Sequence, residues 1–164
     1  MSGRLPGGTP ATDALTAAGI SFSLHAYTHH DDSRDFGAEA ARELGVDELR
    51  IFKTLVIGVG TGRPPLAVGV VPVATQLDLK AFAASLGAKK AVLAKPAEAT
   101  RSSGYVVGGI SPIAQKTLLP TVLDETAQLF DTILVSAGKR GLQVELAPSD
   151  LAALTRATWA DIAR

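Results

Sequence analysis

The sequence predicts an α+β fold in which one mixed β-sheet is covered by helices on one side, and three observations lead there. Two apolar runs, residues 51–59 and 66–73, flank Gly60-Thr61-Gly62-Arg63-Pro64-Pro65, which is the pattern of a long hairpin. Helical patches occur singly between strand-like runs, without the strict alternation of a doubly wound parallel sheet. At 164 residues and 46% hydrophobic content the chain can bury one core, and it shows no repeat, low-complexity tract or compositional break. A single domain over residues 1–164 is expected, with residues 1–8 as a flexible N-terminal tail.

Thr9-Pro10, an Ala-rich stretch to Ala18 and then Gly19 supply a cap, a first-turn proline and a stop, so a short helix is expected there. Ile20, Phe22, Leu24 and Ala26 then alternate with Ser21, Ser23, His25 and Tyr27, the period of a half-buried strand with His25 and Tyr27 on its less apolar face. Residues 29–35 are a polar loop, and residues 36–44 with Gly45 behind them form a second helix with Phe36 at its mouth. After the hairpin, Asp78 caps a helix through Leu86 that Gly87 ends, and residues 91–93 are a short strand. Residues 95–101 allow one more helical turn. The stretch 102–112, Ser-Ser-Gly-Tyr-Val-Val-Gly-Gly-Ile-Ser-Pro, is too glycine-rich for a helix and too apolar for a solvated linker, so it reads as an ordered functional loop. Residues 121–123, 133–136 and 142–146 are strands, the last two joined by Gly138-Lys139-Arg140-Gly141, and residues 150–154 form a terminal helix.

Charge and composition narrow the function. Sixteen Lys+Arg balance 16 Asp+Glu, so no global basic field exists and a polyanion would dock on a local patch. The absence of cysteine excludes disulfide scaffolds, Cys-zinc sites, iron–sulfur clusters and thiol nucleophiles on the protein. No apolar run reaches some 18 residues and the N-terminus lacks a signal-like apolar centre, so a cytoplasmic location is expected.

Lys53 stands inside Ile51-Phe52-Lys53-Thr54-Leu55, where an ammonium costs several kcal/mol to desolvate unless something polar or negative meets it. Either the strand is an edge and the head snorkels to water, or the cation floors a cleft that takes an anionic ligand such as a phosphate. The Gly108-Gly109 pair is either a tight turn or a set of backbone N–H donors for a developing oxyanion. Lys139 and Arg140 offer two cations on a tip, suited to a nucleic-acid backbone or to plain solvation. His25, His29 and His30 with Asp31 and Asp32 match no ligand spacing, so no metal is expected. Gly58-Val59-Gly60-Thr61-Gly62 imitates a dinucleotide fingerprint, but Arg63-Pro64-Pro65 replaces the helix that would hold the pyrophosphate. Neither a nucleophile elbow nor a Walker loop is present, which disfavours triad hydrolysis.

Several stretches together resemble the YbaK/EbsC family of aminoacyl-tRNA deacylases, related to the editing domain inserted in bacterial prolyl-tRNA synthetases. They include Ile20-Ser21-Phe22 with His25 and Tyr27, Phe36-Gly37, Lys53-Thr54-Leu55, Val71-Pro72-Val73-Ala74 and Gln76-Leu77-Asp78-Leu79-Lys80. The most specific is Arg101 through Pro112, followed by Leu119-Pro120-Thr121 and Val135 through Leu142. The resemblance implies a curved mixed sheet, partly barrel-like and flanked by helices, and a deacylase that clears Cys-tRNA(Pro) beside prolyl-tRNA synthetase, with no cofactor. It assigns Lys53, Gly108 and Gly109 to catalysis. It assigns Tyr27, Phe36, Thr54, Arg101, Ile110, Ser136, Gly138, Lys139 and Gln143 to substrate binding. The family often carries Asp where this chain has Gln143, so a carboxylate role is lost at that position. It further implies that the substrate's own thiol attacks its ester carbonyl. The other readings are deacylation of Ala- or Ser-charged tRNA, and a non-catalytic module that binds tRNA or a synthetase.

Overall fold

Hairpin chemistry organises the molecule. In the computed structural model, which describes residues 8–60, 62 and 64–164, strands β2 (Phe52–Gly58) and β3 (Leu66–Pro72) pair antiparallel with Lys53 opposite Val71 and Leu55 opposite Gly69. Every residue of β3 is buried, as its apolar run requires of a strand covered on both faces. Residues 1–7 of the expected tail, Thr61 and Arg63 lie outside the described residues.

Around that hairpin stand α1 (Pro10–Ala17), β1 (Ser23–Ala26), α2 (Phe36–Leu44), α3 (Leu79–Ser85), β4 (Val92–Leu93) and α4 (Pro96–Ser103). β5 (Thr121–Asp124), β6 (Ile133–Lys139), β7 (Leu142–Leu146), α5 (Pro148–Thr155) and β8 (Thr158–Ala160) complete the fold. Thr9 caps α1 in a reciprocal pair with Thr12, Asp78 caps α3 by accepting from Ala81 N–H at 3.0 Å, and Gly45 ends α2 in the left-handed region.

The α+β class holds, but the expected single sheet is two. One has the order β4-β2-β3-β5-β8 and the other β1-β7-β6. They meet at one bridge between Ile51 and Leu134 and do not close into a barrel. Nor do the helices keep to one side. The even-numbered side chains Phe52 and Val56 join Val68, Val70, Leu15 of α1 and Leu151 of α5 in a central core between the sheets. The odd-numbered Ile57 lies with Val71, Val122 and Phe82 of α3 on the outer face. α2 covers the junction, where Ala40 and Ala41 pack on Ile51 and Leu134.

Two smaller corrections bear on the site. α4 extends to Ser103, because Pro96 starts it and Gly104 (φ +81) stops it, so the functional loop begins at Gly104. β6 runs on to Lys139 through a bulge between Ser136 and Lys139, so half of the supposed hairpin tip, Gly138 and Lys139, is strand. A 3-10 turn at Glu125–Leu129 and strand β8 carried no sequence signal. Buried Asp124 secures that end by accepting from Ile162 and Ala163 N–H at 3.0 and 3.1 Å.

Candidate active site

A cavity of about 460 Å³ opens at the N-terminus of α2, beside the first half of β2. Asp35, Phe36 and Gly37 reach it from α2, Val107, Gly108 and Ile110 from the loop, Ser136 from β6 and Gln143 from β7. The far wall is Leu93 and Ala94 beside β4 with Pro96 and Ala99 of α4. Of the residues singled out by sequence, Phe36, Lys53, Thr54, Gly108, Ile110, Ser136 and Gln143 line this one cavity. Tyr27, Arg101, Gly109, Gly138 and Lys139 do not line it.

Lys53 is half-buried on the odd-numbered face of β2, between buried Ile51 and partly buried Leu55. Burial pushes its ammonium below the ordinary lysine value, and the negative charge of Asp35 works against that shift. The cation lines a concavity that also contains Gly108. Asp35 has a second task, since its side chain caps α2 by accepting from Ala38 N–H at 3.4 Å.

The two glycines separate. Gly108 has φ +88, and a Cβ there would lie 2.7 Å from two carbons of the Phe36 ring, so only glycine fits. Its N–H has no hydrogen-bond partner among the described residues, whereas Gly109 N–H donates to Val106 O at 2.9 Å. Gly109 is buried against the backbone of Lys139 and Arg140, where a Cβ would sit 2.8 Å from Lys139 Cα. The pair therefore leaves one amide free to donate, not two, and the second glycine is a packing residue. Arg140, expected on a solvated tip, braces the loop instead: its Nε donates to Val107 O at 2.8 Å and its Cζ lies 5.0 Å from the centre of the Phe36 ring.

Ser136 and Gln143 are cross-strand partners on β6 and β7. Gln143 is 6% exposed and its Oε1 has no hydrogen-bond partner, and the same is true of the buried Thr54 Oγ1. A buried polar atom left unpaired costs about 1–3 kcal/mol, so two such atoms in one cavity mark positions that a ligand would satisfy. Burial pushes the Tyr27 hydroxyl above its ordinary value, and bonding to the Gly141 backbone and the Gln143 side chain works the other way. Tyr27 thus stands behind Gln143 rather than in the cavity. Gly138 packs under the Tyr105 ring, Lys139 is exposed, and Arg101 is exposed on α4.

Sequence reasoning missed the support beneath Phe36. Glu39 of α2 is 1% exposed, its Oε1 lies 2.7 Å from His29 Nδ1, and its Oε2 accepts from His30 N–H at 2.9 Å. Burial alone would raise its pKa, but the bonds from His29 and the His30 backbone outweigh it and hold the carboxyl below the ordinary range. The His29 ring in turn sits 5.6 Å from the Phe36 ring. A glutamate on the buried side of an otherwise Ala-rich helix face was the available signal. His25 is likewise tied to a carboxylate, Glu145, at 2.8 Å.

The lining offers two cations, Arg34 and Lys53, the Asp35 carboxylate, the hydroxyls of Thr54 and Ser136 and the Gln143 amide, with no histidine or cysteine beside them. Such a set can position an anionic ligand and polarise a carbonyl, and it lacks the histidine of a nucleophile–histidine relay.

The family model described as the aminoacyl-tRNA editing domain matches residues 30–154. An Enterococcus faecalis protein, EbsC, described as a candidate Cys-tRNA(Pro)/Cys-tRNA(Cys) deacylase, is 45% identical over 122 residues, covering 74% of this chain and 73% of its own. A crystal structure of a candidate trans-editing enzyme for prolyl-tRNA synthetase superposes with a TM-score of 0.82 at 25% identity, covering 94% of this chain and 95% of the other. Another, described only as a hypothetical protein, gives 0.81 at 26% identity over 94% of this chain and 99% of its own.

Proposed function

The chain belongs to the aminoacyl-tRNA editing domain family, and on that premise we propose that it is a trans-acting deacylase that clears cysteine from mischarged tRNA(Pro) by cleaving the aminoacyl ester. The observation that carries this reading is the meeting of Lys53 and Gly108 in one cavity that lacks any histidine or cysteine among its lining residues. A site of that composition suits an ester that is already activated and needs holding more than it needs attack by the protein.

The physical need for such an enzyme is discrimination. A pocket built for proline rejects a cysteine of similar size by only about 1–3 kcal/mol, so a second site must remove the error. In our reading Lys53 holds the phosphate or ribose of the terminal nucleotide and Gly108 N–H meets the carbonyl oxygen. Ser136 and Gln143 bind the aminoacyl side. Gly109 shapes the loop and donates nothing to the reaction.

The nucleophile is the substrate's own thiol. At neutral pH a free thiol near pKa 8.5 is a few per cent thiolate. Its sulfur attacks the carbonyl carbon, a C–S bond forms, and the ester C–O bond breaks. The ribose oxygen leaves with the proton the thiol has lost, and water later opens the resulting thiolactone to free cysteine. Selection for cysteine is then chemical, because serine offers a poor nucleophile in the same place. The event belongs in the cytoplasm beside prolyl-tRNA synthetase, where the mischarged tRNA is released.

A panel of Cys-, Ala- and Ser-charged tRNA(Pro) tests the reading. Fast release of cysteine alone is expected. Preferential release of alanine or serine would replace it with the related editing activity, and no release of any would leave only a binding module. S-methylcysteinyl-tRNA(Pro) separates the nucleophiles, since a bound water would still cleave that ester.

A further inference from the structure

The cavity straddles a strand that lacks a partner along part of one side. β4 pairs with β2 only at Ile57 and Gly58, extended by Ala94 N–H donating to Val56 O at 3.0 Å. β6 meets β2 only at the bridge between Ile51 and Leu134. Between these points no described strand pairs with Lys53, Thr54 or Leu55 on the side away from β3.

Antiparallel pairing sends alternate residues' peptide groups to opposite sides. Ile51 O accepts from Val73 N–H on the β3 side, whereas Val56 O accepts from Ala94 on the other. The N–H and C=O of Thr54 therefore face the open side, into the cavity. A second, independent observation falls on the same residue: Thr54 Oγ1 is buried, lines the cavity and has no hydrogen-bond partner.

The surroundings on that side are apolar. Thr54 follows Phe52 and precedes Val56 on the even-numbered face, where Ala94, Ala99 and Ile110 pack with them. Lys53 points to the opposite face, the one shared with Ile51 and Leu55. On the even-numbered side of β2 the cavity thus presents apolar side chains beside the N–H and C=O of Thr54, and its other lining residues include Arg34, Phe36, Lys53, Ser136 and Gln143.

A flat heterocycle with a donor and an acceptor on one edge fits this apolar side of the cavity. Adenine carries that edge, with its 6-amino group beside a ring nitrogen. We infer that the open edge of β2 at Thr54 reads the terminal adenine of the aminoacyl-tRNA, with Thr54 Oγ1 completing the contact, while the ester lies toward Lys53 and Gly108 in the same cavity. This rests on the editing reading for the identity of the ligand as a 3'-aminoacyl nucleoside.

The test is a calorimetric titration with 3'-cysteinylamido-3'-deoxyadenosine, which cannot be cleaved, beside analogues carrying purine without the 6-amino group or uracil. The adenine probe is expected to bind at least about tenfold more tightly than either analogue. Thr54→Val should weaken the adenine probe about tenfold and leave the uracil probe unchanged, and Thr54→Ser should restore the preference. Equal affinity for adenine and uracil, a preference untouched by Thr54→Val, or no binding of the adenine probe at millimolar concentration overturns the inference. Cys-tRNA(Pro) deacylation by the unaltered chain is measured in parallel. Cleavage without base preference sinks only this inference, and absence of cleavage sinks the editing reading.

Discussion

Gly108 is seated so closely on the ring of Phe36 that a side chain at position 108 would overlap it, with a Cβ only 2.7 Å from the ring carbons. The loop amide and the cavity wall are therefore one rigid unit, held from behind by His29 and Glu39 and from above by Arg140. Catalysis by carbonyl polarisation depends on such rigidity, because a donor displaced by an ångström loses most of its effect.

Gly108→Ala follows directly. The left-handed backbone and the overlap with Phe36 should cost about 1–3 kcal/mol of stability and about a hundredfold in kcat/KM, read by urea midpoint and by initial rates. A variant with normal rates would show that the Gly108 amide does not meet the carbonyl.

Glu39→Gln addresses the support under Phe36. The folded carboxyl titrates below its ordinary value near 4.5, so its contribution is complete above that pH and is lost as pH falls through the lower folded value. Wild-type stability should drop between pH 5 and the acid limb, about where carboxylates protonate, and the variant should be weaker at pH 7 with a flatter profile. Parallel wild-type and variant profiles would contradict the pairing with His29.

Gln143→Leu removes a buried acceptor that no protein group satisfies. Folding stability is expected to change little, because loss of the unpaired Oε1 offsets loss of the side chain's bond to the Tyr27 hydroxyl. Deacylation should fall about tenfold, the value of one lost ligand hydrogen bond. Loss of stability without loss of rate would place the amide in the scaffold instead.

The hairpin and α2 were legible because each has a single dominant signal: a continuous apolar run around Gly-Pro turns, and a capped helix closed by Gly45. The division into two sheets was not, since it depends on where β6 leaves β2 after one bridge, a long-range event with no local pattern. Lys53 could be found from its mismatch with Ile51 and Leu55. The unlike fates of Gly108 and Gly109 could not, because they follow from which amide the turn itself uses. Nor could Arg140, whose partners Val107 and Phe36 come from distant segments.

Charge balance makes a separate claim about the substrate. With 16 positive and 16 negative residues the chain offers only local patches to a tRNA, so affinity should be weak alone and should fall about tenfold between 50 and 200 mM salt if a few phosphates are contacted. Filter binding across that range checks it, and tight binding that ignores salt would contradict it.

Deacylation depends on a half-buried lysine, and Lys53→Met with Lys53→Ala measures its part. Its depressed pKa means the folded state disfavours the charge. Native protein binds fewer protons than unfolded chain between the lowered value and 10.5, and stability there rises with pH. The methionine variant, which keeps the stem, should therefore melt no lower than the wild type at pH 7, while Cys-tRNA(Pro) deacylation by both variants drops at least about a hundredfold. Full deacylation by a folded Lys53→Met protein would show that the chemistry lies elsewhere.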